Sequence, residues 1–326
     1  MHSSEDVVPH GDKHMDPVEL IAADAVPMEQ LHAALVDAFA DYIVGPFQLS
    51  AEQMPAFLTR QAVALSASRV ATKQGQIHAI ALVSLRSDIA RWRLATLCAV
   101  PLARGTGVTH RLMDDLVSRA TAFGASALEL ECFAQNERAV RLYQRYGFRT
   151  AAELRAWSSR ARGPGQSTGG VLSASAFVRE VGRAEGLAWQ HAAARDIPDL
   201  PLQVAGDLLA TSTRPLRFWQ SGTAQLVFSA VEGDPVLIHG LVDSSVALRD
   251  AEILVARLQA TYPDCEIKAM PQVHRADLGG EALRRLGFED TALYQLLMVR
   301  SLGHAAMPAH PSNPCSARSL RGTADD

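Results

Sequence analysis

The chain has 326 residues, which is more than one hydrophobic core usually serves, so its length predicts two domains. Hydrophobic residues make up 48% and charged residues 20%, a composition that excludes a collagen-like or wholly disordered chain. Lysine and arginine total 31 against 35 aspartate and glutamate residues, a net charge of −4. This balance argues against a nucleic-acid partner.

Hydropathy and cysteine spacing exclude two further classes of protein. No apolar run reaches the roughly 18 to 20 residues that span a bilayer, and residues 1–16 lack the apolar stretch of a signal peptide. We therefore expect no membrane partner and a cytoplasmic location. The four cysteines form no C-x-x-C pair, and no histidine lies at zinc-ligand spacing from them, so we expect no metal site.

Polar segments rich in Gly, Ser and Pro divide the chain. The densest of them, residues 158–170, has almost no residue that a core could bury, so it predicts a domain boundary. The predicted parts are a disordered N-terminal tail (1–16), a first domain (17–157), a linker (158–178), a second domain (179–302) and a disordered C-terminal tail (303–326).

The first domain alternates strand and helix patterns. In chain order the predicted elements are a strand at 18–22, helices at 28–39 and 51–61, strands at 69–72, 77–85 and 92–100, a helix that ends near Gly124, a strand at 128–133, a helix at 137–146 and a strand from Phe148. The strand at 128–133 alternates leucines with Glu129 and Glu131, so its two faces differ.

A strand end, a glycine-containing turn and a helix start follow one another in residues 97–113. Gly105 and Gly107 remove side chains where the backbone curls, so successive N–H groups can converge on phosphate oxygens. The helix N-terminus and Arg104 add positive charge. No Gly-Lys-Ser/Thr follows, and the third glycine of a dinucleotide fingerprint is missing. Taken alone, the glycines also suit a plain strand-to-helix turn.

Two motifs together resemble one known family. Residues 128–148, with Asn136 and Tyr143 seven residues apart, resemble the later half of the Gcn5-related N-acetyltransferase (GNAT) family. The preceding loop resembles that family's pyrophosphate motif, Arg/Gln-x-x-Gly-x-Gly/Ala, as Arg104-Gly105-Thr106-Gly107-Val108-Thr109. The resemblance covers residues 18–157. It implies an α/β fold of the α+β type, in which helices flank a mixed, mostly antiparallel central sheet.

The resemblance also implies an activity and its cosubstrate. The first domain would transfer acetyl from acetyl-CoA to a primary amine of a small molecule or peptide, without a metal. Residues 104–109 would hold the pyrophosphate, and the backbone of Leu97, Cys98 and Ala99 would pair with the pantetheine arm. Asn136 matches an asparagine that contacts this arm. Thr109 stands where the family usually has Gly or Ala, so its side chain would crowd the pyrophosphate or bond to it.

Tyr143 matches the family's tyrosine beside the thioester sulfur. Its hydroxyl, with an ordinary pKa near 10, can protonate a departing thiolate, so Tyr143 is the predicted general acid. The alternative is an aromatic side chain that packs on the sheet. Glu131 is a candidate general base, and a salt-bridged glutamate is the alternative. Cys98 and Cys132 have the pattern of small core residues rather than nucleophiles.

The acceptor amine is expected to bind between the first two helices, which border the substrate groove in this family. Asp41 would attract its charge, and Tyr42 and Phe47 would line its pocket. The alternative is an aromatic loop that closes the edge of the core. The sequence names no particular amine and predicts no oligomeric state.

The second domain repeats the order of the first without its motifs. Strands at 224–231 and 236–242, a helix at 246–261, a strand at 265–269 and a final strand at 293–299 follow the same pattern. When Gly147 is aligned with Gly287, Leu283 falls at Tyr143 and Ala276 at Asn136. The chain is therefore predicted to be a tandem of one active and one degenerate GNAT-like domain. The alternative function is an acyl-CoA-binding sensor or scaffold with weak or no turnover.

Overall fold

The computed structural model describes residues 18–161 and 177–303. The two predicted tails and most of the predicted linker lie outside these residues, apart from Gly303 and the linker's ends. Within the described ranges, every helix is too short or too polar to cross a bilayer.

The first half alternates strands and helices in the predicted order. Its strands are β1 (Glu19–Ala22), β2 (Arg69–Lys73), β3 (Gln76–Arg86), β4 (Arg91–Ala99), β5 (Ala127–Phe133), β6 (Arg149–Arg155) and β7 (Trp157–Ser159). Its helices are α1 (Met28–Ala38), α2 (Met54–Arg60), α3 (Val108–Phe123) and α4 (Glu137–Arg145). Leu31, Leu35 and Ala38 repeat at helical spacing in α1, and this face is buried against the sheet.

The second half follows a similar course. Its strands are β8 (Arg179–Val181), β9 (Arg217–Ser221), β10 (Ala224–Ser229), β11 (Val236–Asp243), β12 (Ile267–Ala269), β13 (His274–Arg275), β14 (Glu289–Asp290) and β15 (Gln295–Ser301). Its helices are α5 (Arg183–Asp196), α6 (Gly206–Ala210), α7 (Arg249–Thr261) and α8 (Gly280–Arg285).

The strands form two sheets with the same internal order. The first sheet runs β1-β2-β3-β4-β5-β15-β6-β13, and the second, from its other edge, runs β8-β9-β10-β11-β12-β7-β14. Within these sheets, the neighbouring strands of the described chain are antiparallel except for β4 with β5 and β11 with β12, which are parallel. The predicted fold class, mixed and mostly antiparallel sheets flanked by helices, is confirmed.

The two halves exchange strands: the first sheet takes β13 and β15 from the second half, and the second sheet takes β7 from the first. β15, predicted as the last strand of the second domain, lies in the first sheet between β5 and β6, and β7 lies at the equivalent place in the second sheet. β15 pairs with β5 along its whole length, from Gln295 opposite Phe133 to Ser301 opposite Ala127. The boundaries at 157 and 179 stay predictions as domain limits, because both sheets contain strands from beyond them.

The halves also meet through buried charges on one face of the first sheet. Glu129, on the face that the sequence marks as polar, is 1% exposed and accepts hydrogen bonds from Arg86 (3.0 Å) and Arg91 (3.3 Å). Arg86 also donates to the carbonyl of Leu200 (2.7 Å), and Arg91 pairs with Asp199 (2.6 Å). Because a buried charge is costly without a partner, these contacts help to fix the second half on this face.

We expect residues 1–161, produced alone, to lose cooperative unfolding. Without β15, the edges of β5 and β6 that face it have no partner strand, and the core loses Leu297 and Met298, which are at most 1% exposed. Thermal unfolding followed by circular dichroism, with the full chain as control, checks this. A fragment that melts cooperatively at the temperature of the full chain would contradict the strand exchange.

Candidate active site

The parallel strands β4 and β5 separate part of the way along their length. They pair from Arg91 opposite Ala127 to Leu94 opposite Leu130, and the register ends there. β4 continues to Ala99 and β5 to Phe133. The divergence leaves backbone groups of residues 95–99 without a strand partner on the β5 side, and such groups need another hydrogen-bonding partner.

A cavity of about 830 Å³ lies at this opening. It has the size of a pocket for a small molecule or cofactor. Most of the predicted site residues line it: Asp41, Tyr42, Leu97, Cys98, Ala99, Arg104, Gly105, Gly107, Thr109, Asn136 and Tyr143. We call this space the main cavity. The structure thus brings together residues that are up to about a hundred positions apart in the sequence.

The glycine loop, residues 104–109, borders the main cavity at the start of α3. Gly105 and Gly107 have φ angles of +79° and +82°, which favour glycine, and a Cβ on either would meet no atom within 4 Å. Within the described chain, no protein acceptor takes the N–H groups of Gly105, Gly107, Val108 or Thr109. Unsatisfied N–H donors at the start of a helix, here one of 16 residues, are a favourable place for an anion.

Arg104 and Asp41, predicted for different roles, bind each other. The guanidinium donates to both carboxylate oxygens (2.6 and 2.7 Å) and to the carbonyl of Ala38 (3.1 Å). The hydrogen bond from Arg104 lowers the pKa of Asp41 below its ordinary value. The pair fastens the glycine loop to the connector between α1 and α2, and it neutralises the carboxylate expected to attract the acceptor.

The Tyr143 side chain is 8% exposed, and its ring makes an edge contact with Phe148 (5.9 Å between centroids). Burial raises the pKa of Tyr143 above its ordinary value of 10, and Cys132 and Tyr42 are among its electrostatic neighbours. Burial also raises the pKa of Tyr42 to about 12. Both phenols are therefore neutral near pH 7 and can only donate a proton.

Asn136 is the N-cap of α4. Its side-chain oxygen accepts the N–H of Ala139 (3.2 Å), which fixes the turn between β5 and α4 at the edge of the main cavity. The same turn is held by the second half. Ala134 donates its N–H to the carbonyl of Tyr294 (3.0 Å), and the Gln135 amide donates to the carbonyl of Ala292 (2.9 Å).

Four predicted site residues do not line the main cavity. Phe47 packs on Phe39 and Phe57 within an aromatic cluster. Val108 is buried in the core, and the Thr106 hydroxyl donates to the carbonyl of Ala103 (2.7 Å). Glu131, whose side chain is 3% exposed, pairs with Arg93 at 2.6 Å.

The Glu131 carboxylate is held on both sides. Besides the ion pair with Arg93, its Oε1 accepts a hydrogen bond from Gln203 (3.3 Å) in the second half. The polar face predicted for β5 therefore lies beneath the second half rather than in solvent. Sequence alternation showed that the two faces differ but did not show what covers them.

Sequence reasoning missed a set of basic side chains on the cavity wall. His110 follows the glycine loop, and Arg138, Arg141 and Arg145 project from α4. The spacing of three and four residues along a helix was a usable signal, since it places the three arginines on one face. Arg141 pairs with Glu137 at 2.9 Å, so the wall carries more positive than negative charge.

The cysteines near the main cavity are unreactive. Burial raises the pKa of Cys98 and of Cys132 to about 12, so both thiols stay protonated near pH 7. A protonated thiol is a poor nucleophile. Among the described residues, no cluster of three or more His, Cys, Asp or Glu side chains is placed to hold a metal.

The second half differs at the position that matches the glycine loop. The Asp243 carboxylate, fully buried before α7, accepts the N–H groups of Ser245 (2.8 Å) and Ala251 (3.0 Å) and the hydroxyl of Thr223 (2.7 Å). An internal carboxylate thus occupies the helix N-terminus. It would repel a phosphate group there.

In the second half, the chain at Gly279 lies directly against strand β11. A Cβ on Gly279 would lie 2.7 Å from both the carbonyl oxygen and a side-chain carbon of Leu241. The chain therefore passes against β11, along an edge that corresponds in the sheet order to the free edge of β4.

The comparisons with known proteins agree with this geometry. A sequence model of the acetyltransferase (GNAT) family matches residues 34–148. No curated protein matches the chain in sequence. A putative acetyltransferase from Pyrococcus horikoshii is 13% identical, with a TM-score of 0.55 over 93% of this chain and 94% of that one.

Two further solved structures are similar over both halves. A GCN5-related N-acetyltransferase from Sphaerobacter thermophilus is 15% identical, with a TM-score of 0.53 over 88% of this chain and 94% of that one. Another from Kribbella flavida is 15% identical, with a TM-score of 0.56 over 90% and 73% of the two chains. At sequence identities this low, the comparisons show that the folds are similar.

Residues 34–148 belong to the GNAT acetyltransferase family, as the two sequence motifs predicted. Membership supports acetyl transfer as the general activity, with acetyl-CoA as the donor that this family uses.

Proposed function

We propose that the protein is an N-acetyltransferase that moves the acetyl group of acetyl-CoA directly to a primary amine. One observation supports this most strongly. The free edge of β4, the glycine loop with its unsatisfied donors and the buried residue Tyr143 all border one cavity. In this arrangement the β4 edge could pair with an extended chain, the glycine loop could bind an anion, and Tyr143 could donate a proton.

The residues present fit acetyl-CoA. The empty space in front of Gly105 and Gly107 admits a pyrophosphate close to the backbone, and the helix N-terminus favours its charge. The β4 edge at Leu97, Cys98 and Ala99 would pair with the pantetheine arm, with Asn136 on the opposite side of the cavity. Thr109 has its N–H among the free donors, so its hydroxyl would lie beside the phosphates.

Acetyl-CoA, when bound, supplies an acetyl group activated as a thioester. In the transfer a bond forms between the amine nitrogen and the acetyl carbonyl carbon, and the bond from that carbon to sulfur breaks. The Tyr143 hydroxyl gives its proton to the departing sulfur, and the nitrogen loses a proton to solvent. A backbone N–H on the free β4 edge would polarise the carbonyl oxygen.

The charges of the main cavity favour an amine that reacts in its neutral form. Among the described residues, its carboxylates are Asp41 and Glu137, and each is paired with an arginine. Glu131 is paired with Arg93 outside the cavity, so this proposal gives it no proton-transfer step. The acceptor would lie against the apolar wall of Phe39, Tyr42 and Ile43.

The second half would act through structure rather than chemistry. Its helix N-terminus is occupied by Asp243, and it has Leu283 and Ala276 where the first half has Tyr143 and Asn136. We infer that it is a second, degenerate copy of the same fold that binds no acetyl-CoA. It completes the first sheet through β15 and holds the turn before α4.

We expect turnover with acetyl-CoA and a panel of primary amines that includes aryl amines, amino sugars and peptide α-amines. Release of free thiol and formation of the N-acetyl product, measured by mass spectrometry, should rise together. The reaction without amine is the control. Binding of acetyl-CoA with no product from any amine would instead support the sensor or scaffold function.

Tyr143→Phe should lower kcat by about a hundredfold or more, since it removes a general acid. Acetyl-CoA affinity, measured by calorimetry, should change little because the ring remains. Because the pKa of Tyr143 is raised, the wild-type kcat should also show no alkaline fall up to about pH 10.

Tyr262→Phe is the matched control, since Tyr262 bonds to Arg217 in the second half and lies outside the main cavity. If Tyr143→Phe keeps the rate of the control variant, Tyr143 is a packing residue and another group protonates the thiolate.

A further inference from the structure

A second groove, of about 660 Å³, opens beside the main cavity between α3, the end of α4 and the end of β15. Its polar wall residues are Asp114, Ser118, Arg145, Tyr146, Arg300 and Ser301. We call it the side groove. Arg145 also lines the main cavity, so the two spaces meet at this side chain.

The side groove carries two arginines that no carboxylate neutralises. Neither Arg145 nor Arg300 forms an ion pair with a carboxylate anywhere in residues 18–161 or 177–303. The one acid, Asp114, accepts a hydrogen bond from the Tyr146 hydroxyl (2.9 Å). The groove therefore has a net positive charge and suits an anion.

Arg300 reaches the groove because of the strand exchange. It lies next to the last residue of β15, which the second half inserts beside β5. Its side chain passes over Gly147, where a Cβ would lie 4.0 Å from both Cδ and Nε. The Arg300 side chain therefore lies within van der Waals reach of the turn that follows α4.

The position of the groove along α3 matches the shape of acetyl-CoA. Asp114 follows Thr109, the end of the glycine loop, by five residues, or about 7.5 Å along the helix. In acetyl-CoA the 3′-phosphate sits on the ribose that is attached to the pyrophosphate. A pyrophosphate at the glycine loop therefore places a phosphomonoester within reach of the side groove. Arginine is well suited to bind such a group through paired N–H donors.

We propose that Arg300, together with Arg145, binds the 3′-phosphate of acetyl-CoA. The second half of the chain then supplies a cofactor-binding residue as well as a strand. This inference rests on the proposed function, because it takes the glycine loop as the pyrophosphate site.

The test compares binding of CoA and 3′-dephospho-CoA by calorimetry. The wild-type protein should bind CoA more tightly than dephospho-CoA. Arg300→Gln should weaken CoA binding by about tenfold, which is the effect expected from the loss of one hydrogen bond to a charged group. The same substitution should leave the affinity for dephospho-CoA unchanged. Arg300→Lys, which keeps the positive charge, should retain part of the preference for CoA over dephospho-CoA. Arg257→Gln, on the exposed face of α7, is the matched control, and thermal unfolding confirms that each variant folds.

The outcomes separate this inference from the proposed function. If wild-type protein binds both ligands equally, or if Arg300→Gln weakens both alike, the 3′-phosphate does not contact Arg300 while acetyl-CoA binding stands. If neither ligand binds, both the inference and the proposed function fail.

Discussion

The backbone ladder between β15 and β5 is the interaction on which the rest of the structure depends. β5 forms one side of the opening that holds the main cavity, and its other edge would be free without β15. A strand edge must find partners for its N–H and C=O groups. Because β15 belongs to the second half, the sheet that carries the site of the first half is completed by the other half of the chain.

The same constraint explains the buried charges. The second half lies on the face of the first sheet that carries Glu129 and Glu131, so both carboxylates lose water and need partners. Arg86 and Arg93 supply them from β3 and β4, and Leu200 and Gln203 add contacts from the other half. These contacts tie the halves together, and the proposed mechanism gives the two carboxylates no proton-transfer step. By contrast, Tyr143 lines the main cavity.

In the first half the sequence alone predicts the elements and the glycine loop well, because periodicity and glycine positions are local signals. In the second half it did not predict β8, α5, α6, β9 or β13. Gly107 and Gly124 begin and end α3 as expected, and β5 alternates as expected. The strand exchange could not be predicted from local sequence. The apolar pattern of residues 293–299 predicts a strand but does not indicate which of the two sheets the strand joins. The pairing of Arg104 with Asp41 was hidden for the same reason, since the two residues are 63 positions apart and each had a separate role by motif.

The central claim is that acetyl-CoA and the amine occupy the main cavity together and react directly. Initial rates measured while both substrates are varied test it, combined with intact-mass analysis of the protein after exposure to acetyl-CoA alone. Direct transfer predicts reciprocal plots that intersect and a protein that stays unmodified, as the protonated Cys98 and Cys132 require. Parallel plots, with an acetyl group found on the protein, would contradict the account.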